Sequence, residues 1–269
     1  MLLCKYLTKE ADDLLKNCRI RFSNFSGCND PFDFFIFVSK PSEEEIDKLL
    51  NNPKIQDSYF KAYLGAGIYT ENQKEECIRA IKANKDHIKE WLPRVLHAQQ
   101  ESARKKLQQI KILSFSDFSK ITGEDDVLLW SHYTNKHQGF RIVFDFDENL
   151  YENLLEVKYG ELLQATASEI LLHEPSFEEK MKKALFLKSP VWSYEREIRI
   201  LVLQPRTDYD HASLNPQEIK FIDLGLDCDS VLKESISSQL QRAEYKHIVL
   251  RQVKIKDDKC GFDYEVLQK

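Results

Sequence analysis

The 269-residue sequence has no apolar run that approaches the ~20 residues of a membrane-spanning helix. Its opening stretch, MLLCKYLTKEADDLLKN, becomes polar too early for the apolar region of a secretory signal. No two of the six cysteines form a C-x-x-C pair, so neither a zinc site nor a disulfide framework is indicated. These absences predict a cytoplasmic protein without a membrane partner.

Motifs of common nucleotide and hydrolase chemistry are also missing. The sequence has no G-x-x-x-x-G-K-[ST] phosphate loop, no G-x-G-x-x-G fingerprint and no G-x-S-x-G nucleophile turn. His132 and His137 are five positions apart, so they do not share a helix face as the histidines of H-E-x-x-H do. We therefore expect no metal. The net charge of −5 gives no reason to expect general nucleic-acid binding.

The composition, with 42% hydrophobic and 31% charged residues, is typical of a soluble globular protein. Strand-like and helix-like stretches are interspersed, and the helical ones cluster in the middle of the chain. We expect a single α+β domain over residues 1–269, with a mainly antiparallel, curved sheet and a helical insertion at residues 41–110. Ser42, followed by three glutamates, marks a helix start, and Pro93 is expected to begin or kink a later helix.

Residue periodicity and turn signals place the individual elements. Strands are predicted at 2–7, 19–25, 110–118, 140–146, 154–162, 194–203, 219–226, 247–256 and 263–267. Helices are predicted within 72–109 and at 125–139, 177–188 and 229–243.

The stretch LLWSHYTNKHQGFRIVFDF, residues 128–146, joins the end of a helix to a strand. Asp125 or Asp126 is expected to cap this helix at its beginning. Gly139 is expected to close it in the left-handed conformation that glycine tolerates. The predicted helix therefore covers the whole of residues 125–139.

Helical spacing places Trp130, Tyr133 and His137 on one face of this helix and His132 on another. One interpretation is that His132 and Tyr133 pack against the core with backbone partners, as most buried polar groups do. The other is that they belong to a catalytic surface. Residue type alone leaves both interpretations open.

The stretch KSPVWSYEREIRILVL, residues 188–203, predicts a strand that carries Glu195, Glu197 and Arg199 on one face. This face could be a solvated surface with a cross-strand ion pair, which contributes little stability. It could also be the wall of a cleft, where paired carboxylates acquire different pKa values and act as acid and base. A carboxylate there could stabilise an oxocarbenium ion at a ribose carbon. The residues alone favour neither reading.

Several stretches occur in the order KYL, FSNFSGCNDPFD, LLWSHYTNKHQGFRIVFD, VKYG and KSPVWSYEREIRIL. Together they resemble the bacterial domain-of-unknown-function family 2971 over nearly the whole chain. The sequence departs from that pattern at Leu7, where arginine is common, and at Cys28, where phenylalanine is usual. The family has no firm activity, but its layout is similar to that of the ADP-ribosyltransferase fold.

This resemblance implies an NAD-consuming enzyme, either an ADP-ribosyltransferase or an NAD glycohydrolase. Such proteins often serve as toxins or phage-defence effectors. NAD would be the co-substrate, with a protein or a nucleic acid as acceptor. The residues implied are Glu197, Glu195 and His132 for catalysis, and Tyr6, Lys5, Ser23, Tyr133 and Arg199 for contacts to the dinucleotide.

A second hypothesis is a non-catalytic module whose cleft binds a nucleotide or a protein partner, as a sensor beside a separate effector. A nuclease is disfavoured, because the acidic residues of FDFDENLYENLLE are dispersed rather than clustered for metal binding.

Overall fold

The computed structural model of the chain describes residues 1–8, 13–24, 29–65, 67–83, 85–107, 110–147, 154–202 and 210–268. Its strands are β1 (Leu2–Leu7), β2 (Arg19–Arg21), β3 (Ser23–Asn24), β4 (Phe37–Val38), β5 (Lys111–Asp117), β6 (Phe140–Asp145), β7 (Leu154–Glu156), β8 (Lys158–Tyr159), β9 (Gln164–Ala165), β10 (Leu187–Lys188), β11 (Glu197–Val202), β12 (His211–Ser213), β13 (Ile219–Leu224), β14 (Val249–Ile255) and β15 (Phe262–Gln268). Its helices are α1 (Asp13–Asn17), α2 (Glu43–Leu50), α3 (Pro53–Leu64), α4 (Glu71–Ala83), α5 (Lys85–Leu107), α6 (Gly123–Tyr133), α7 (Ala167–Leu171), α8 (Pro175–Ala184) and α9 (Ser230–Gln239). Cys28, where the sequence departs from the family pattern, lies outside the described residues.

Contacts within the chain define two compact units, each assembled from separate stretches. The first contains Met1–Asn29, Gln109–Gly160 and Lys188–Lys269, and the second contains Asp30–Gln108 and Glu161–Leu187. The helices of the expected insertion lie in the second unit. That unit also includes residues 161–187, which the sequence did not assign to it.

The first unit is built on one large sheet. Its strands follow the order β15-β14-β13-β6-β1-β5-β11-β7, and β3 pairs with β5. These neighbours are antiparallel except β13 and β14, which are parallel. The predicted mixed α and β class, with a large and mainly antiparallel sheet, is confirmed.

The two faces of this sheet differ in character because alternate residues of a strand point to opposite sides. One face is apolar and packs against α1 and α9, with Leu3, Phe115, Ile142 and Ile198 in its core. The other, which we call the polar face, carries Tyr6, Arg141 and Asp223 side by side on β1, β6 and β13. Helix α6 covers this face and buries Leu129 and Trp130 against it.

The second unit is mainly helical. Helices α2 and α5 pack with α7 around an apolar core that includes Ile46, Leu49, Ile88, Leu92, Leu96 and Ile170. The predicted helix start at Ser42 is confirmed, since its hydroxyl accepts a hydrogen bond from the Glu45 N–H at 3.1 Å. Helix α5 continues through Pro93 rather than beginning there.

Several predicted boundaries are wrong. The helix predicted at 177–188 ends at Ala184, and Leu187 and Lys188 form a short strand. The helix predicted at 229–243 ends at Gln239. The described cysteines are free thiols. No helix in the described part of the chain combines the length and apolarity needed to cross a membrane.

Candidate functional site

Helix α6 begins with a capping box that fixes its first turn. Thr122 accepts a hydrogen bond from the Asp125 N–H at 3.2 Å, and the Asp125 carboxylate accepts one from the Thr122 N–H at 3.0 Å. The prediction that Asp125 or Asp126 is the cap is therefore wrong, because Thr122 takes that position. The Asp125 carboxylate also binds a cation, because the same oxygen that accepts the Thr122 N–H accepts hydrogen bonds from Arg196.

The end of α6 also differs from the prediction. The helix stops at Tyr133, and Asn135, Lys136 and His137 all have positive φ values of 50–66°. His137 therefore leaves the face of Tyr133, and its ring lies 5.6 Å from that of Phe262. Gly139 does not close the helix in the left-handed conformation.

Gly139 is required for a close approach of two backbones. A Cβ atom at this position would lie 2.0 Å from the carbonyl oxygen of Leu7 on β1. Only glycine permits β1 to approach the residue that leads into β6.

The stretch from Lys188 to Arg199 is not one continuous strand. Residues Pro190–Glu195 form a 3-10 helix, Arg196 is left-handed with φ 47° and ψ 45°, and β11 begins at Glu197. The prediction that Glu195 belongs to the strand is therefore wrong. Glu195 nevertheless lies close to Glu197, because the left-handed residue between them turns the chain.

Lys188, Glu195, Glu197 and Arg199 form what we call the charge cluster. The Lys188 ammonium lies 2.5 Å from Glu195 Oε2 and 3.3 Å from Glu197 Oε2. Arg199 donates from Nε and Nη2 to the two oxygens of Glu197, at 2.7 and 2.9 Å. All four residues are buried, with exposed fractions between 1% and 6%. Their formal charges cancel when both glutamates are ionised.

The two carboxylates of the cluster have pKa values shifted in opposite directions. Burial raises the pKa of Glu195, with Glu197 adding to the effect and Lys188 opposing it. Burial also disfavours the ionised form of Glu197, but Arg199, helped by Lys188 and Ser114, outweighs it and lowers the pKa to about 2. Glu197 is therefore fixed as an anion, while Glu195 is the carboxyl group that can exchange a proton nearer neutral pH.

Aromatic and imidazole groups extend the cluster toward solvent. Tyr133 donates a hydrogen bond to Glu195 Oε1, and His132 Nδ1 lies 2.8 Å from the Tyr194 hydroxyl. Burial and the nearby Glu195 raise the pKa of Tyr194 to about 12, so it stays a neutral phenol. His132 is exposed. The side chains that the sequence singled out on α6 and near β11 thus meet at one place.

The structure does not bring Lys5 and Ser23 into the charge cluster. The Lys5 ammonium donates to the Ser114 carbonyl at 2.8 Å and lies 5.8 Å from the ring of Phe115, which belongs to the apolar face. Burial lowers the pKa of Lys5 to about 8, although Glu197 opposes the shift. Ser23 is exposed on β3, where it pairs with Ile112.

Tyr6 lies on the polar face, but in a second buried ionic network that the sequence did not predict. The Arg141 guanidinium binds Asp126 at 2.8 Å and Asp223 at 2.6 Å, and Arg251 binds Asp223 at 2.6 Å. Tyr6 donates to Asp126 at 2.6 Å and accepts from Arg141 at 2.9 Å. A charged residue flanked by apolar ones, as in FRIV and FIDL, was the available signal for this network.

Three members of the site were also missed by sequence reasoning. Lys188 is the cation shared by the two glutamates, Ser114 contributes a hydrogen bond to Glu197, and the Tyr159 hydroxyl accepts the Glu197 N–H at 2.9 Å. Ser114 and Tyr159 come from strands that are distant in sequence, whereas Lys188 precedes Glu195 by only seven positions, and nothing in their local pattern signals the contacts. Among the described residues, no three His, Cys, Asp or Glu side chains are arranged to hold a metal ion.

The fold and site define a mixed α and β protein with a buried cluster of charged side chains on one face of a mainly antiparallel sheet. Residues 129–200 match the model of a family described as "Protein of unknown function (DUF2971)". The matched segment runs from α6 into β11 and includes every member of the charge cluster. The match supports the family resemblance over this part of the chain. No curated protein and no solved structure matches the chain.

Proposed function

We propose that this protein consumes NAD by breaking the bond between nicotinamide and ribose, as an NAD glycohydrolase or an ADP-ribosyltransferase. The proposal rests on one observation. Two buried carboxylates bound to the same ammonium have pKa values shifted in opposite directions, an arrangement that can support acid–base chemistry at a sugar carbon. The similarity in layout to the ADP-ribosyltransferase fold, drawn from the sequence, is part of the same proposal.

In the proposed reaction the carbon–nitrogen bond breaks, and its electron pair leaves with nicotinamide, which departs as a neutral molecule. The ribose carbon becomes oxocarbenium-like and is attacked by the oxygen of water or of an acceptor hydroxyl. Glu195 removes the proton from that oxygen, since its raised pKa makes it the stronger base of the pair. Glu197 keeps a negative charge close by, which favours the cationic transition state.

The surrounding residues take supporting roles. Tyr133 orients the Glu195 carboxyl group through its hydrogen bond, and the exposed His132 is available to a ribose or phosphate group. Arg199 is 1% exposed and bound to Glu197, so in this proposal it holds the anion rather than the dinucleotide. Tyr6 is engaged by Asp126 and Arg141, so it supports α6.

Release of nicotinamide from NAD by the purified protein tests the proposal. We expect turnover by the wild type and a loss of at least ~100-fold in Glu195→Gln, the contribution typical of a general base. Glu265→Gln, an exposed change on β15, is the matched control and should keep full activity. A wild type that leaves NAD intact, or a Glu195→Gln variant as active as wild type, would show that the proposal is wrong.

Radiolabelled NAD then separates the two reaction types. Label transferred to a protein or nucleic acid indicates an ADP-ribosyltransferase, and free ADP-ribose indicates a glycohydrolase. A role as toxin or phage-defence effector requires that expression of the wild type, but not of Glu195→Gln, lowers cellular NAD and arrests growth.

A second function, a non-catalytic module that binds a nucleotide or a protein, is favoured by a different observation. Every charge of the cluster already has a partner of opposite sign, and all four side chains are buried. Such a network is complete without a substrate. Thermal stabilisation by NAD or another nucleotide without turnover would support this function.

A further inference from the structure

Arg196 separates the two glutamates of the charge cluster and has an unusual backbone. Its φ of 47° and ψ of 45° lie in the left-handed region, which is disfavoured for residues that carry a Cβ atom. The sequence places no glycine or asparagine here, the residues that tolerate this conformation best. Contacts elsewhere must therefore hold the turn.

Two contacts from outside the turn hold Arg196. Its guanidinium donates from Nε and from Nη2 to Asp125 Oδ2 on α6, at 3.2 Å in each case. Its carbonyl oxygen accepts a hydrogen bond from the Asp117 N–H at the end of β5, at 2.8 Å. The first turn of α6 and the end of β5 thus fix the backbone between Glu195 and Glu197.

This turn determines where the carboxylates point. In a regular strand, residues two apart lie about 7 Å from each other and project in parallel. Here Glu195 ends a 3-10 helix and Glu197 begins β11, yet both reach the same Lys188 nitrogen. The same turn leaves Glu195 within reach of the Tyr133 hydroxyl, at the other end of α6.

We propose that Asp125 and Arg196 are positioning residues, whose ion pair holds the left-handed turn that brings Glu195 and Glu197 together at Lys188. Neither residue touches the reacting atoms. The importance of this pair for catalysis rests on the proposed function, whereas its effect on the geometry of Glu195 does not.

Asp125 has a second role that an experiment must separate from this one. It forms the capping box of α6 with Thr122, so its replacement could act simply by loosening the helix. Asp125→Asn keeps an oxygen that can accept the Thr122 N–H but removes the charge that binds Arg196. Thr122→Ala removes the other half of the box and leaves the Asp125 carboxylate on Arg196, which makes it the matched control.

The pKa of the Glu195 carboxyl group, measured in the protein without ligand, reports whether this group keeps its buried position. It can be followed by 13C NMR with labelled glutamate and assigned by comparison with Glu195→Gln. The titratable groups that face Glu195 are Lys188, Glu197, Tyr133, Tyr194 and Tyr159. A Glu195 released from them into solvent should titrate with the ordinary pKa of a glutamate, about 4.3.

We expect the raised pKa of Glu195 to fall toward that ordinary value in Asp125→Asn and in Arg196→Ala. Thr122→Ala should leave it unchanged, and Arg196→Lys should recover part of the shift. The proposal is overturned if Asp125→Asn keeps the wild-type titration, or if Thr122→Ala moves it as far as Asp125→Asn does. Asp125→Asn alone decides the question if Arg196→Ala does not fold.

The activity of the same variants separates this proposal from the proposed function. If the wild type releases nicotinamide, kcat should fall in Asp125→Asn and stay near wild type in Thr122→Ala. If the wild type leaves NAD intact, the proposed function is wrong. The titration of Glu195 then still tests whether Asp125 and Arg196 position this residue.

Discussion

Replacing Lys188 by methionine would remove a cation that binds both glutamates. The Lys188 ammonium lies 2.5 Å from Glu195 and 3.3 Å from Glu197, and each of the three side chains is less than 9% exposed. Methionine keeps most of the length and packing of the lysine stem but carries no charge. Glu197 retains Arg199 as a partner, so the change leaves Glu195 as the uncompensated charge.

Removal of one partner from a buried ion pair typically costs about 3–5 kcal/mol, because the remaining charge stays desolvated. We expect Lys188→Met to lose about 3 kcal/mol of unfolding free energy at pH 8, the lower end of that range, because Glu195 can take up a proton. Lys188→Met combined with Glu195→Gln removes both charges, and should recover at least about 1 kcal/mol of this loss.

The loss should depend on pH, and its sign follows from the pKa of Glu195. Lys188 lowers the pKa of Glu195, so without Lys188 this already raised pKa rises further. A group with a raised pKa in the folded state stabilises the fold below its unfolded pKa, and that contribution disappears as pH rises through the folded value. The deficit of Lys188→Met should therefore be small near pH 5 and larger at pH 8.

Urea denaturation followed by tryptophan fluorescence at both pH values measures these differences. A loss below about 1 kcal/mol at pH 8 would refute the reasoning, since it lies outside the range for a buried pair. The reasoning would also be refuted if the stability deficit of Lys188→Met does not change with pH, or if the double variant is no more stable than Lys188→Met.

Three further substitutions test other parts of the structure. Tyr133→Phe removes the hydroxyl that lowers the pKa of Glu195, so 13C NMR should show this carboxyl group titrating at a higher pH. Gly139→Ala places a Cβ atom 2.0 Å from the Leu7 carbonyl oxygen, and we expect several kcal/mol of destabilisation or no soluble protein, measured by denaturation and expression yield. Asp223→Asn removes a fully buried anion bound by two arginines, and should cost about 3–5 kcal/mol in urea denaturation.

The sequence predicts much of the fold because local patterns and the final structure agree. Alternation in FRIVFD predicts β6, and the hydroxyl and carboxylates after Lys40 predict the beginning of α2. The same alternation extends YEREIRIL into one strand, and there it fails. Arg196 has no local reason to be left-handed, since the contacts that hold it come from Asp125 and Asp117, about 70–80 positions earlier in the chain.

Part of the candidate site was predictable from the sequence, but the pairing of its residues was not. The spacing of Glu195, Glu197 and Arg199 suggests a shared face. In the structure the two glutamates share Lys188, and Arg199 binds Glu197. The sequence does not predict that Lys188 binds both glutamates, because a lysine after a helix is most often exposed to solvent. The reason for Gly139 also could not be predicted from its local sequence. Its position after a helix suggests a left-handed cap, whereas the actual constraint is the carbonyl of a strand more than a hundred residues away.

The two ionic networks on the polar face have different surroundings, and this difference indicates which of them is structural. A buried network seldom stabilises a fold more than apolar side chains of the same volume, so each network needs an explanation. The rings of four aromatic residues surround the Arg141 guanidinium: Tyr6, Phe118, Trp130 and Tyr264. The carboxylates of Asp126 and Asp223 are bound by arginines, and Asp126 also accepts hydrogen bonds from two tyrosines. Such a network can hold α6 on the sheet but offers no group to a ligand.

The charge cluster differs from that network in one respect. Glu195 accepts a hydrogen bond from Tyr133, and Tyr194, the residue before Glu195, is bonded to the exposed His132, so the cluster adjoins a polar side chain that reaches the surface. This contrast supports our proposal that Glu195 carries the chemistry, and it gives Asp223→Asn and Glu195→Gln opposite expected results. The first should lower stability strongly, and the second should abolish turnover in a protein that remains folded.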